Sequence, residues 1–170
     1  GMKVELEKPE TMCGKIRAIK DKSGKEGFAA IARTESLIQK KGHDVALERA
    51  KMYNDAGCDG FLIHSKSPTP DEVSKFADMY HAADLRAPLV CVPTTYNSFT
   101  TEQMKSAGFS LAIYANYSVR AAVKILTSLF ADIVNSGTLS AGNDRTVPMS
   151  EIFELIAVEE MKENQKRYGS

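Results

Sequence analysis

The chain has 170 residues, 43% of them hydrophobic, which is enough for one substantial core but short for two domains. Its 22 basic and 22 acidic residues cancel, so the composition indicates neither a nucleic-acid partner nor an anionic membrane. No stretch approaches the roughly 18 apolar residues of a membrane-spanning helix, and we expect no leader at the start. A complete (β/α)8 barrel needs about 250 residues, and about 200 at the least, so this length excludes one.

The first predicted element is a helix over residues 11–21, in which Met12, Ile16 and Ile19 share one face. Four short apolar segments follow, each bounded by turn residues and largely non-alternating. That pattern is typical of parallel strands buried on both faces. The predicted strands cover residues 28–32, 60–63, 89–92 and 109–115.

Helical patterns with recognisable end signals separate these strands. Asp44 is placed to cap a helix over residues 45–56. Thr69 opens a capping box, with proline at the first helical position, for a helix that runs to about residue 83. Thr100 repeats the device for a shorter helix that ends at Gly108.

The sequence also contains one helix-to-strand junction used twice, at residues 56–63 and 107–113. Repeated β–α units of this kind predict an α/β fold whose parallel sheet has right-handed crossovers. After the last strand we predict a helix over residues 119–134, a link at 135–144 and a final helix near 150–168. We therefore expect a single partial domain, with β/α units over about 11–134 and a helical extension over about 145–168.

Polar side chains directly follow each predicted strand, and the carboxyl ends of parallel strands meet at one edge of a sheet. An arginine offers a bidentate fork for phosphate or carboxylate, and a histidine offers a donor that titrates near neutral pH. This set therefore favours an anionic ligand. Its members are Arg33, Glu35, His64, Lys66, Thr94 and Asn116.

Structural explanations compete with this functional one. Arg33 and Glu35 can form a purely structural salt bridge, His64 alone can be an ordinary histidine of the core or rim, and Asn116 can simply cap the next helix. What favours a binding site over these alternatives is that polar or charged side chains follow all four predicted strands.

The sequence provides few ligands for a metal. Magnesium requires several carboxylate oxygens or the waters that they hold, and Glu35 is the only acidic side chain among the strand ends. His43 and His81 have no metal-ligating spacing, and we expect both at the surface. We therefore predict no metal ligands in this chain.

The three cysteines are odd in number and form no CxxC pair. This usage fits buried thiols in a reducing compartment and predicts a cytoplasmic protein whose cysteines fill the core. They are Cys13, Cys58 and Cys91.

Several motifs in order resemble the phosphoenolpyruvate mutase and phosphonopyruvate hydrolase family of the isocitrate lyase superfamily. The likeness runs from about residue 4 to 168. Its motifs are Cys13-Gly14-Lys15-Ile16, Ile31-Ala32-Arg33-Thr34-Glu35-Ser36-Leu37-Ile38, Ala46-Leu47-Glu48-Arg49-Ala50, residues 56–66 ending in Ile63-His64-Ser65-Lys66, Val92-Pro93-Thr94-Thr95-Tyr96, Ile113-Tyr114-Ala115-Asn116, Val119-Arg120-Ala121-Ala122 and Met149-Ser150-Glu151-Ile152-Phe153-Glu154-Leu155.

The resemblance implies the carboxyl-terminal half of a magnesium-dependent (β/α)8 barrel that acts on small phosphorylated or phosphonate 2-oxo acids. It implies that Arg33 and His64 hold the phosphoryl group as it moves between oxygen and carbon. A loose, metaphosphate-like group is stabilised mainly by placed cations and donors. Glu35 and Lys66 would lie nearby as positioning groups, followed by Thr94 and Asn116.

The family's substrate-clamping serine, its paired aspartates that organise magnesium and its lid have no matching positions here. A half-barrel exposes two sheet edges, which invite pairing. The chain would then be a fragment cut at the exposed lid, a truncated product or split-enzyme half, or one of two copies that pair their edges. We expect either a homo-oligomer or association with the missing amino-terminal half.

Three functions stay open: a phosphoenolpyruvate mutase, a phosphonopyruvate hydrolase, and a non-catalytic half-barrel that serves binding or assembly. Thr34 and the loop at residues 67–72 favour the hydrolase. Ala115 favours the mutase, which is our first choice, with the chain inactive alone.

Overall fold

A computed structural model describes residues 5–23 and 27–169 of the chain. The chain divides into two compact units. We call residues 1–115 the β/α unit and residues 116–170 the helical unit. Within the described residues, no helix has the length and apolar character needed to cross a membrane.

The β/α unit alternates strands and helices, as the sequence predicts. Its four strands are all parallel and lie in the order β1-β2-β3-β4, so each strand is adjacent to the next one along the chain. The prediction of four parallel strands with helices is confirmed. The elements are α1 (Pro9–Ser23), β1 (Ile31–Thr34), α2 (His43–Asp55), β2 (Gly60–Ile63), α3 (Asp71–Ala82), β3 (Leu89–Cys91), α4 (Thr101–Ser106) and β4 (Leu111–Ala112).

Aromatic residues form the centre of the core in this unit. The Phe61 ring on β2 stacks on Phe76 and Tyr80 of α3, with centroids 5.8 and 5.7 Å apart. Asn54 adds a satisfied polar contact, because its Oδ1 accepts the Ala87 N–H at 2.9 Å and its Nδ2 donates to the Tyr80 hydroxyl at 3.0 Å. Apolar burial and a satisfied polar network together stabilise the packing of α2 and α3 on the sheet.

The three cysteines are buried and free, as predicted. Burial raises the pKa of the Cys58 and Cys91 thiols to about 11, because the apolar surroundings disfavour the thiolate. All three belong to the main hydrophobic core of the unit.

The two outer strands differ most from the prediction. β1 begins at Ile31 rather than at residue 28 and alternates exposed and buried residues, and β4 contains only two residues. Each outer strand forms hydrogen bonds with only one neighbouring strand, so its pairing ends where that neighbour ends. One face of an outer strand can also remain exposed. The two inner strands agree with the prediction to within one residue.

The repeated helix-to-strand junction is confirmed in detail. Gly57 and Gly108 both have positive φ, at 90° and 85°, where only glycine avoids strain. In each copy the next amide donates back five residues, from Cys58 to Tyr53 at 3.1 Å and from Phe109 to Met104 at 3.0 Å. This hydrogen bond closes the helix and turns the chain into the strand.

The predicted helix caps give mixed results. Thr100 forms the predicted capping box with Gln103. Asp44 is wrong as a cap, because α2 begins one residue before it and the cap position is Gly42. Thr69 is also wrong, because Pro70 takes the cap position of α3 and the Thr69 hydroxyl instead donates to Asp71 at 2.8 Å.

The helical unit contains α5 (Tyr117–Ser136), a 3₁₀ helix (Leu139–Arg145), α6 (Met149–Leu155) and α7 (Val158–Tyr168). The single final helix that the sequence predicts is therefore two helices. Ala157 has φ 53°, a left-handed conformation that interrupts the helix between α6 and α7. In the described part of this unit, Leu129 is the buried large hydrophobic residue, and it lies close to Gly142.

Candidate active site

Arg33 and Glu35 occupy the carboxyl end of β1. Arg33 pairs in register with Leu62 of β2, and its Nε donates to the Glu35 carboxylate. The ion pair is exposed, with 47% of the Arg33 side chain accessible. The salt bridge that the sequence allowed therefore exists, and it leaves the guanidinium open to a ligand.

His64 follows the last residue of β2 and is half-buried. Its Nδ1 is buried and has no hydrogen-bond partner within residues 5–23 and 27–169. Burial lowers the pKa of His64, the Arg33 and Lys66 charges lower it further, and Glu35 opposes them. The imidazole is therefore neutral near pH 7, and the three other charged residues of the predicted set all act on it electrostatically.

Thr94 and Asn116 are less clearly part of this cluster. Thr94 is half-buried after β3, and its hydroxyl donates to the Ala115 carbonyl over a long 3.5 Å. Asn116 belongs to the helical unit, where it is the residue before α5 with φ 66° and makes no side-chain capping bond. Its proximity to the strand ends stays a prediction.

A network around Ser65 was missed by the sequence reasoning. Ser65 is completely buried, and its hydroxyl donates to the Glu72 carboxylate and accepts the Ser67 N–H at 2.9 Å. The Thr95 hydroxyl donates to the Ser65 carbonyl at 2.9 Å. The sequence pattern assigns Glu72 to a capping box, and the only signal for the network is a carboxylate seven residues after a serine at a buried strand end.

Unlike the Nδ1 atom of His64, the rings of the other two histidines make hydrogen bonds within the described chain, and these lie outside the strand-end cluster. His43, half-buried, donates from Nε2 to the Glu72 carbonyl at 2.9 Å. His81, which is exposed, donates to the Gly108 carbonyl at 3.2 Å. His81 therefore agrees with the expected surface position, whereas His43 lies partly inside.

The strand ends do not form a metal centre by themselves. Across residues 5–23 and 27–169, no three His, Cys, Asp or Glu side chains are close enough to share an ion. Glu35 already pairs with Arg33. The described donors thus do not fit Mg²⁺, which prefers several carboxylate oxygens and waters.

A small cleft of about 150 Å³ adjoins Arg33 and Glu35, and Arg49 and Tyr53 line it as well. Arg49 donates to the Tyr53 hydroxyl at 2.9 Å. A larger cleft of about 530 Å³ is lined by the end of α6 and by α7, and it contains none of the strand-end residues. Arg33 and Arg49 thus line the smaller cleft, whereas His64 and Lys66 are not among its lining residues.

The fold and this cluster define a parallel β/α protein of the barrel class, with an anion-attracting group of side chains at the strand ends. The family model for phosphoenolpyruvate phosphomutase matches residues 2–134. The chain belongs to the phosphoenolpyruvate phosphomutase family, and the resemblance seen in the sequence is confirmed.

The most similar relatives include both mutases and a hydrolase. The phosphoenolpyruvate phosphomutase of Streptomyces viridochromogenes is 34% identical over 91% of this chain and 49% of its own length. The crystal structure of the enzyme of that name from Streptomyces platensis subsp. rosaceus has TM-score 0.90 and 36% identity, over 98% of this chain and 57% of that one.

A phosphonopyruvate hydrolase solved in complex with oxalate and Mg²⁺ is almost as similar. Its TM-score is 0.89 and its identity is 33%, over 100% of this chain and 59% of the hydrolase. The chain spans about half the length of the curated relatives it matches, and the expected carboxyl-terminal half-barrel is confirmed.

Proposed function

We propose that this chain is the phosphoryl-binding half of a phosphoenolpyruvate mutase-like isomerase. The observation that carries the proposal is the grouping of Arg33 and Lys66 around a neutral, half-buried His64 at the strand ends. In the reaction the phosphoryl group moves from the enol oxygen of phosphoenolpyruvate to carbon 3. One O–P bond breaks and one C–P bond forms, with no net change in protons or electrons.

Each residue of the cluster has a distinct part in this proposal. Arg33 and His64 are the catalytic residues, since both contact the phosphoryl oxygens as the group transfers. The Arg33 guanidinium supplies charge, and the neutral imidazole donates a hydrogen bond. Glu35 orients Arg33 through their ion pair, and Lys66 adds positive charge. Thr94 and Asn116 are proposed as substrate-binding residues that contribute less to binding than Arg33 and His64.

Magnesium is part of the proposal as a cofactor, and the similar hydrolase solved with oxalate and Mg²⁺ supports it. When bound, the ion would neutralise charge on the 2-oxo acid. Because the described donors do not fit it, we assign its ligands to residues outside the described chain. They would be supplied by association with an amino-terminal half or with a second copy.

Phosphonopyruvate hydrolysis is the second candidate. Water would attack phosphorus, the C–P bond would break, and carbon 3 would take up a proton to give pyruvate and phosphate. Similarity to a hydrolase structure at 33% identity supports this alternative. Thr34 gives the hydrolase less support than its sequence position suggested. Its hydroxyl is buried, is hydrogen-bonded to Ser36 at 2.7 Å and lies on the opposite strand face from Arg33.

Phosphorus NMR of phosphonopyruvate incubated with the chain and Mg²⁺ separates the candidates. Phosphoenolpyruvate as product supports the mutase, and phosphate with pyruvate supports the hydrolase. Without turnover, a shift of the His64 ring signals on adding phosphonopyruvate supports a binding half that is inactive alone. The absence of both turnover and a shift of the His64 signals would contradict the proposal.

Two variants and a control sharpen this test. In a preparation that turns over, Arg33→Ala should abolish activity and His64→Ala should lower it by about 10²-fold or more. In a preparation that only binds, Arg33→Ala should remove the response of the His64 ring. Lys51→Ala on the exposed face of α2 removes a cation remote from the strand ends and should change neither result.

A further inference from the structure

We propose that Glu72 is a positioning residue: through its hydrogen bond to Ser65 it fixes the end of β2 and so places His64 beside Arg33. The inference rests on the proposed function for its catalytic meaning, because His64 matters there as a phosphoryl ligand. The geometry that carries it is independent of any substrate.

The His64 ring has little to hold it in place. Its Nδ1 has no hydrogen-bond partner in the described chain. A histidine that approaches a ligand needs a defined ring position, since small displacements at a reacting centre are costly. The position of His64 therefore depends on its backbone and on the packing around it.

Ser65 anchors the backbone next to His64 through three hydrogen bonds. Its hydroxyl binds both the Glu72 carboxylate and the Ser67 amide, and its carbonyl accepts the Thr95 hydroxyl. Ser65 is fully buried, so each of these bonds replaces water that cannot reach it. Loss of a partner would leave a buried polar atom unpaired.

Glu72 is itself held in place at the start of α3. It lies in the first turn of α3, where the helix dipole favours a carboxylate. Its backbone carbonyl accepts the His43 ring at 2.9 Å, which ties the start of α3 to the start of α2. The neighbouring Asp71, not Glu72, accepts the Thr69 hydroxyl.

Glu72 affects the pKa of His64 by fixing where the ring lies and not through its own charge. The charged groups that face His64 are Arg33, Glu35 and Lys66, and Glu72 is not among the causes of its shifted pKa. Losing the anchor should release the ring from burial and from the two cations, which raises the pKa. Losing a nearby negative charge would lower it. The two explanations therefore predict opposite signs.

The test is the pH titration of the ¹⁵N-labelled imidazole of His64 in the full chain, with no substrate present. The signal is assigned by its loss in His64→Gln, which distinguishes it from His43 and His81. Ser65→Ala and Glu72→Ala should each raise the titration midpoint by about 0.5 pH unit or more, towards the ordinary value for histidine. Glu72→Gln retains an acceptor for Ser65 and should stay close to the unmodified chain.

Matched variants keep the result interpretable if the buried changes prevent folding. Thr95→Val removes one anchor from an exposed side chain and should shift the midpoint in the same direction by less. Thr69 lies in the loop between β2 and α3, as Ser65 does, but it is not bonded to Ser65. Thr69→Val should therefore leave the titration midpoint of His64 unchanged. An unchanged or lowered midpoint in folded Ser65→Ala or Glu72→Ala, or an unchanged midpoint in Thr95→Val, would overturn the proposal.

The test also separates this inference from the proposed function. Because no substrate is used, a chain that neither binds nor converts phosphonopyruvate can still show the expected shifts. In that case the positioning of His64 stands and the assigned chemistry fails.

Discussion

The β/α unit and the helical unit bury their apolar side chains to very different extents. In the β/α unit, Phe61, Phe76 and Tyr80 are fully buried. In the helical unit, large apolar side chains of α5 such as Leu126 and Phe130 remain exposed, at 46% and 59%. The comparison teaches that the parallel sheet brings its own core, whereas α5 has an amphipathic pattern without a comparable core within its unit.

The largest test of this comparison is removal of a ring from the aromatic core. Phe61→Ala should lower the free energy of unfolding by about 3–5 kcal/mol, because it deletes buried area and leaves a cavity. Leu126→Ala in α5 should change it by less than about 0.5 kcal/mol. Urea denaturation of both variants measures the difference. Equal losses would mean that the α5 face is buried in solution.

The next test compares polar networks in the two units. Asn54→Ala leaves the buried Ala87 amide without its acceptor and should cost about 2–3 kcal/mol. Arg145→Ala in the helical unit removes an ion pair with Asp132 and should cost about 1 kcal/mol or less, because solvent reaches that pair. Thermal unfolding of the two variants gives the ranking, and a reversed order would contradict the comparison.

Two helix-ending glycines provide a smaller test. Both Gly108 and Gly137 have positive φ, so alanine is strained at either position. At Gly108 an added Cβ also meets the His81 ring, whereas at Gly137 nothing lies within 4 Å. We expect Gly108→Ala to cost about 2 kcal/mol and Gly137→Ala about 1 kcal/mol. Similar costs in denaturant titrations would show that His81 moves aside freely.

The smallest effect concerns acid sensitivity. The Lys20 ammonium and the Ala30 amide lower the pKa of Asp59 by hydrogen bonding to its carboxylate. A lowered carboxyl pKa contributes stability above the unfolded-state value of about 4, and this is lost as pH falls through the folded-state pKa. Asp59→Asn should therefore flatten the stability profile as the pH falls below about 5.

Asp132→Asn is the control for this profile, because the Asp132 side chain is more exposed than that of Asp59, at 55% against 34%. Unfolding of both variants at a series of pH values measures the two slopes. A slope that falls equally in both variants would mean that the two ion pairs do not differ.

Prediction from sequence succeeded where the signal was local and repeated. β2 and β3 agree with their apolar segments because inner strands are buried on both faces. The bounds of β1 and β4 differ from their apolar segments, because an outer strand pairs with only one neighbour and its pairing ends where that neighbour ends. The break at Ala157 had no sequence signal, since alanine is a strong helix former that rarely adopts a left-handed conformation.

The candidate site shows the same division. Arg33, His64 and Lys66 could be predicted as a group, because the carboxyl ends of parallel strands always meet at one edge. The Ser65–Glu72 hydrogen bond could not, because the same Thr-Pro-Asp-Glu pattern is equally typical of a capping box.

The sequence by itself determined the parallel β/α order, the family and the position of the basic residues at the strand ends. These follow from hydrophobic periodicity and from motifs that lie within one element or its junction. Only the tertiary structure decided that Glu72 bonds Ser65, that Glu35 pairs with Arg33 and that Nδ1 of His64 has no partner in the described chain. The physical reason is that a side chain's hydrogen-bond partner depends on distances set by packing between elements, which the order of residues does not specify.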